Sequence, residues 1–167
     1  MPNSSASIQI NVTTQTLTLS HPMGDKTYAI STGKNGVGNL EGTGCTPLGK
    51  HVISDKIGES EPVGTVFVER VPTGEVYDVE LGKEHRNRDW ILSRILWLSG
   101  CEAGVNQGEN EQGHCCDTHA RYIYIHGTPD TEPMGVPMSH GCVRMRNVDI
   151  IELFDLVEEG TGVDIIE

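Results

Sequence analysis

Positive charge is scarce in this chain: 12 lysines and arginines stand against 24 aspartates and glutamates, a formal charge of -12 over 167 residues. Such a field repels nucleic acid and anionic membrane surfaces, and no local basic cluster offsets it. A long apolar run is also missing. Residues 89–100, DWILSRILWLSG, are the most apolar stretch, yet they are too short, and too interrupted by Arg94, to cross a bilayer. The opening MPNSSASIQINVTT has neither a basic cluster nor a continuous apolar stretch, so it predicts neither a secretory signal nor an anchor. With Met1-Pro2 read as a natural start, the expectation is a cytoplasmic protein. Five cysteines, an odd number, with no C-x2-C pair, fit a reducing compartment better than a secreted disulfide framework. The Asn3-Ser4-Ser5 and Asn11-Val12-Thr13 sequons then have no glycan to carry. Glycines are frequent between residues 32 and 49, but no Gly-Lys-Ser/Thr ending makes a phosphate loop of them.

The informative stretch is residues 124–147, YIHGTPDTEPMGVPMSHGCVRMRN. It gathers a cysteine, two histidines and a hydroxyl among glycines and prolines that fix the backbone. A thiol becomes a strong nucleophile when a neighbouring base or positive charge favours its thiolate, which singles out Cys142 with His126. YIYIH, residues 122–126, has the β-branched and aromatic make-up of a strand, and Gly127 with Pro129 predicts its end, leaving the His126 base at a strand exit. Gly141 lets the backbone approach a substrate closely, so the Gly141 and Cys142 amides are candidates to face an oxyanion. If residues 142–145 enter a strand, Arg144 shares the Cys142 face and is placed to hold a substrate carboxylate. Plainer readings exist for each. His126 can be a satisfied core histidine and Cys142 a small buried residue. Ser139 can bond its own turn, and Arg144 can pair with a structural carboxylate. His140 and Cys142 as metal ligands lack a third and fourth partner.

The pattern His126-Gly127-Thr128, then Ser139-His140-Gly141-Cys142-Val143-Arg144, then Asn147, resembles the signature of the L,D-transpeptidase catalytic domain (YkuD) family. The resemblance implies Cys142 as nucleophile, His126 as its base, the Gly127 carbonyl orienting the imidazole, and an oxyanion hole near Gly141 and Cys142. It leaves Arg144, Ser139, His140 and Thr128 as substrate-binding candidates, and it calls for no cofactor and no metal. The implied substrate is a peptidoglycan stem tetrapeptide, or muropeptide, that loses its terminal D-alanine through a thioester. A carbapenem is the implied covalent inhibitor. Water as acceptor gives L,D-carboxypeptidase activity, expected here in peptidoglycan recycling because of the cytoplasmic setting. An amine from a second stem gives a 3-3 crosslink, and a non-catalytic muropeptide sensor is the remaining alternative.

The rest of the chain predicts one mainly β domain over residues 7–167, a β-sandwich or barrel-like fold, after a short extension at 1–6. Alternation over residues 7–19 predicts two strands or one bent one, and residues 26–31 a return strand. Thr46-Pro47-Leu48-Gly49 leads into a strand at 51–54; this segment resembles the family's groove-side segments. Residues 65–71 and 75–79 read as a hairpin turning at Pro72-Thr73-Gly74-Glu75. Residues 89–100 favour a buried strand, with Trp90 and Trp97 as core or pocket wall. Residues 101–118 form a long polar loop before the His126 strand, readable as a lid, as a mobile segment of free thiols, or as a metal site through Cys101, His114, Cys115, Cys116 and His119, for which the spacing is poor. Asn147 or Asp149 caps a helix that Gly160 stops, and residues 162–166 make a last strand.

Overall fold

The computed structural model describes residues 6–167. The expected extension, apart from Ala6, the Met1-Pro2 start and the Asn3-Ser4-Ser5 sequon therefore lie outside the described residues. The elements run β1 (Ser7–Asn11), β2 (Thr16–Ser20), β3 (Lys26–Ser31), β4 (Gly49–Ile57), β5 (Thr65–Val68), β6 (Val71–Val76), α1 (Val79–Glu84), β7 (Ile91–Gly100), β8 (Tyr124–Thr128), β9 (Val143–Arg146), α2 (Asn147–Leu156) and β10 (Gly162–Ile166).

Alternating apolar residues decide the first layer. In β1 and β2 every second side chain is buried, and antiparallel pairing sets Ile8 opposite Leu19 and Ile10 opposite Leu17, which resolves residues 7–19 into two strands. The sheet order β4-β10-β1-β2-β3-β9-β8-β7 closes on itself because β7 also pairs with β4, giving a mainly β, barrel-like fold. The β5–β6 hairpin hangs from the other end of β7, where Val66 and Phe67 face Leu92 and Ile91. Ile10, Leu17, Ile30, Leu96, Ile125, Val143 and Met145 fill the interior together with Ile150, Leu153 and Phe154 of α2. The helix thus plugs the barrel. On the outer face of β7 and β8 a second cluster forms, in which Ile95 and Tyr124 meet Phe67 of the hairpin.

Several expectations are corrected. The hairpin turns at Glu69-Arg70, both with positive φ (49° and 67°), rather than at Pro72-Thr73-Gly74-Glu75. The latter residues form an irregularity within β6, where Thr65 pairs with Val76 but Phe67 with Pro72. An edge strand tolerates that proline, since its missing N–H is not needed by a neighbour. Strand β8 does not stop at His126 but runs through Gly127 to Thr128, directly before Pro129. Gly127 serves close approach instead: a Cβ there would lie 2.5 Å from Asn147 Oδ1 and 2.6 Å from the Leu92 carbonyl. Helix α2 is capped at Arg146 without a side-chain bond, so neither Asn147 nor Asp149 plays that part. Helix α1, capped by Asp78 through Leu81 N, was not foreseen.

Residues 101–118 are tied by hydrogen bonds within the loop and to the start of β4. Buried Asn106 donates to the Leu48 and Lys50 carbonyls, joining the loop to the start of β4, and accepts from the Glu102 amide, while Asp117 braces the loop internally by accepting from the Gly108 and Ala120 amides. Among the described residues no three His, Cys, Asp or Glu side chains gather into a metal-sized group.

Asn147 ties three elements. Its amide donates to the Thr128 carbonyl (2.9 Å) and its oxygen accepts from Ser93 Oγ (2.5 Å). Asn147→Ala should leave both buried partners without their bond and destabilise the fold by about 2 kcal/mol. Urea unfolding of the variant measures this.

Candidate active site

Parallel pairing of β8 with β9 builds the site. The register sets Ile125 opposite Val143 and His126 opposite Arg144. Ile125 and Val143 point into the barrel core, so His126 and Arg144, one residue on, project from the outer face. Cys142, one residue before Val143, faces outward too and packs among Phe67, Ile95 and Tyr124. Cys142 and His126 are therefore diagonal neighbours on the same face of adjacent strands.

Parallel strands need a crossover of about a dozen residues or more, and residues 129–142 supply it. Hydroxyls and carbonyls of the 30–46 segment pin this crossover. Gly135 N donates to the Ile30 carbonyl, Ser139 N to that of Thr32, and Ser31 Oγ to that of Val136. Thr46 Oγ1 donates to the Gly141 carbonyl (2.9 Å) and accepts from Gly33 N (2.8 Å). Gly141 is at φ +125°, and a Cβ there would sit 3.1 Å from the Cys45 carbonyl, so a larger residue would push the turn before Cys142 away from this support.

His126 is buried and its Nδ1 lies 2.6 Å from the Gly127 carbonyl. A carbonyl only accepts, so the proton sits on Nδ1 and the lone pair on Nε2. Burial lowers the imidazole's pKa; Asp89 and the Gly127 carbonyl push the other way, and Arg144 adds to the lowering. The Cys142 thiol is raised to about 12, chiefly by burial, with Asp89 raising it further, while the Tyr124 amide, Arg144 and Arg121 favour the thiolate. Tyr124 N donates to Cys142 Sγ at 3.3 Å, and the thiol reaches the Tyr122 carbonyl at 3.4 Å. At neutral pH the resting pair is thus a thiol and a neutral imidazole.

A cavity of about 600 Å³ opens over Cys142, walled by Arg70, Asp89, Arg121, Tyr122, Tyr124 and His140 among others. Of the sequence-derived substrate-binding candidates only His140 lines it. Ser139 is 2 % exposed and closes its own turn, donating to the Cys142 carbonyl (2.5 Å) and accepting from Gly141 N (3.1 Å). Thr128 is buried, its carbonyl taken by Asn147. Arg144 is 8 % exposed and bonds Asp89 (3.4 Å), which also lies 3.7 Å from His140; the Arg144 Nε is buried without a partner. Residues 101–118 contribute nothing to this wall.

Asp89, Arg70, Arg121 and Tyr122 were missed as site residues. Asp89 stood only as the polar start of an apolar strand. Arg70 was hidden by the stronger turn signal at Pro72 to Gly74. Tyr122 was read as part of a strand, whereas it lies before β8 at φ 57°.

Comparison with known proteins gives the same picture. The family model for the L,D-transpeptidase catalytic domain (YkuD) matches residues 5–165. The chain is 49 % identical over 115 residues to the probable L,D-transpeptidase YbiS of Escherichia coli K12, a match covering 67 % of this chain and 35 % of that protein. It is 49 % identical over 41 residues to the putative L,D-transpeptidase YkuD of Bacillus subtilis, 25 % of each chain. The matched region spans about a third or less of these curated relatives. In fold, the chain is similar to L,D-transpeptidase 3 of Mycobacterium tuberculosis, solved with a faropenem-derived adduct (TM-score 0.57, 15 % identity, covering 98 % of this chain and 60 % of that one).

The raised pKa of the Cys142 thiol has a direct consequence. Cys142 alkylation by iodoacetamide, followed by peptide mass mapping to separate it from the other cysteines, should rise about tenfold per pH unit between pH 7 and 10 without levelling. A plateau reached below pH 8 would instead reveal a preformed thiolate.

Proposed function

The chain belongs to the L,D-transpeptidase catalytic domain family, and from that membership we propose that it removes the terminal D-alanine of peptidoglycan stem tetrapeptides through a Cys142 thioester. The observation that carries the proposal is the β8–β9 register, which puts a thiol and a tautomer-fixed imidazole on one outer face beside a cavity. Because both groups rest neutral, the thiol proton passes to His126 Nε2 as Sγ attacks the carbonyl. The Cys142 amide receives the oxyanion, joined by the Gly141 amide when it turns from Ser139 Oγ. The imidazolium then gives its proton to the departing D-alanine nitrogen as the C–N bond breaks. Arg144 stabilises the developing thiolate from beneath, held there by Asp89.

We take water as the acceptor that resolves the thioester: His126 removes its proton, the oxygen bonds the carbonyl carbon and the C–S bond breaks. Net charge supports this choice. A chain at -12 is repelled by an extended anionic wall polymer, whereas a small soluble muropeptide meets less of that field. Recycled muropeptides in the cytoplasm are the proposed substrate pool. One observation favours a second reading, 3-3 crosslinking. A further cavity of about 310 Å³, lined by Glu41, Gly42 and Gly44, shares Arg121, Tyr122, Ile123 and His140 with the first, and a carboxylate there suits an acceptor amine.

Product masses separate the possibilities. With disaccharide tetrapeptide, the expected products are tripeptide and free D-alanine, and Cys142→Ala should lose the activity at least a thousandfold; dimers as the main product establish crosslinking. A carbapenem should add its mass to Cys142, and the adduct named for the M. tuberculosis relative makes such β-lactams the natural probe. Absence of both adduct and turnover identifies a non-catalytic binding domain.

A further inference from the structure

Three arginines surround Cys142, and their donors are committed differently. Arg144 lies behind Asp89, almost fully buried and off the cavity wall. Arg121 is on the wall, but its Nη1 donates to the Gly38 carbonyl (3.2 Å) and its Nη2 to that of Cys45 (2.7 Å). Arg70 also faces the cavity: its Nη1 donates to Tyr124 Oη (2.9 Å), and among the described residues no acceptor engages Nε or Nη2, so it keeps a terminal nitrogen uncommitted where both of Arg121's are taken.

That guanidinium is also held still. Its Cζ lies 4.8 Å from the Trp97 ring centroid and 5.0 Å from that of Tyr122. Trp97 is braced in turn by His119, stacked at 3.8 Å and 9°, and by its own indole N–H on the His119 carbonyl (3.1 Å). A guanidinium fixed by aromatic faces loses little freedom when it grips a planar anion. The backbone supports the same conclusion. The two-residue turn Glu69-Arg70 puts both residues in the left-handed region, which Asn-Gly occupies far more readily. Strain of this kind persists where the surrounding structure maintains it, and it clusters at ligand clamps.

We propose that Arg70, at the tip of the β5–β6 hairpin, is the residue that binds a substrate carboxylate, taking the part that the sequence offered to Arg144. The inference rests on Cys142 acting on a stem peptide. Such a peptide has two sources of the group: the C-terminal D-alanine carboxylate and the α-carboxylate left free at its isoglutamyl residue. Glu69 and Asp89 share the wall; Asp89 is paired with Arg144, and Arg121 turns both terminal nitrogens to main-chain carbonyls, which leaves Arg70 as the wall cation with a terminal nitrogen free for a substrate anion.

The test separates this inference from the reaction. In the Cys142→Ala background, binding of tetrapeptides is measured by calorimetry with both carboxylates free, with the terminal one amidated, and with the isoglutamyl one amidated. Amidation at one position should weaken binding on the order of 10- to 100-fold. Arg70→Gln should abolish that preference by weakening the free acid alone, and Arg70→Lys should retain part of it. A variant that merely loosened the hairpin would weaken acid and amide alike, and that result, or an undiminished preference in Arg70→Gln, overturns the proposal. Failure of all peptides to bind overturns it together with the stem-peptide reading. Carboxylate preference in the binding assay without D-alanine release by the unaltered protein leaves Arg70 as assigned and removes only the reaction.

Discussion

The alignment of β8 beside β9 is the constraint on which the site depends. Both strands run in the same direction, so a long crossover must return the chain, and its last residues carry Gly141 and Cys142. Shifting the pairing by one residue would send Cys142 into the barrel and Val143 to the outside. The interior prevents this, because Ile125, Val143 and Met145 fit only against Ile150, Leu153 and Phe154. Core packing therefore fixes the geometry of the site: Cys142 and His126 are held in phase by the apolar residues between them.

Around this pair the fold keeps charge in balance. Asp89 stands against Arg144 and His140, and its charge disfavours the thiolate while favouring the imidazolium. The result is a sulfur that rests as the protonated thiol. A resting thiol also resists oxidation better than a thiolate, which suits a cysteine beside an open cavity.

How much of this was legible in the residues depended on whether the signal was local. The barrel strands at 7–20, 26–31 and 91–100 declared themselves by alternation or by β-branched density, and the 126–147 signature pointed to the cysteine and histidine. What failed needed partners distant in sequence. Ser139 and Thr128 look like groove residues until the Cys142 carbonyl and Asn147 claim them. Gly127 reads as a strand end, yet it continues the strand because Leu92 of β7 and Met145 of β9 pair with it from either side. The Glu69-Arg70 turn has no glycine, asparagine or proline to advertise it, and the Pro72-Thr73-Gly74 sequence beside it gave a false turn. Arg70 was invisible for the same reason: only the folded hairpin brings it to Trp97 and Tyr122.

Closure of the barrel has a further effect on how molecules of this protein meet one another. Strand β4 finds a partner in β7, so neither end of the eight-stranded circuit offers free backbone groups to a neighbouring molecule. Among the described residues the remaining border is β6, where Pro72 withholds a donor and Gly74, at φ 91°, breaks the ladder. A strand from a second molecule would find no continuous template there, so the fold guards against edge-to-edge aggregation with the same irregular hairpin that overhangs Cys142.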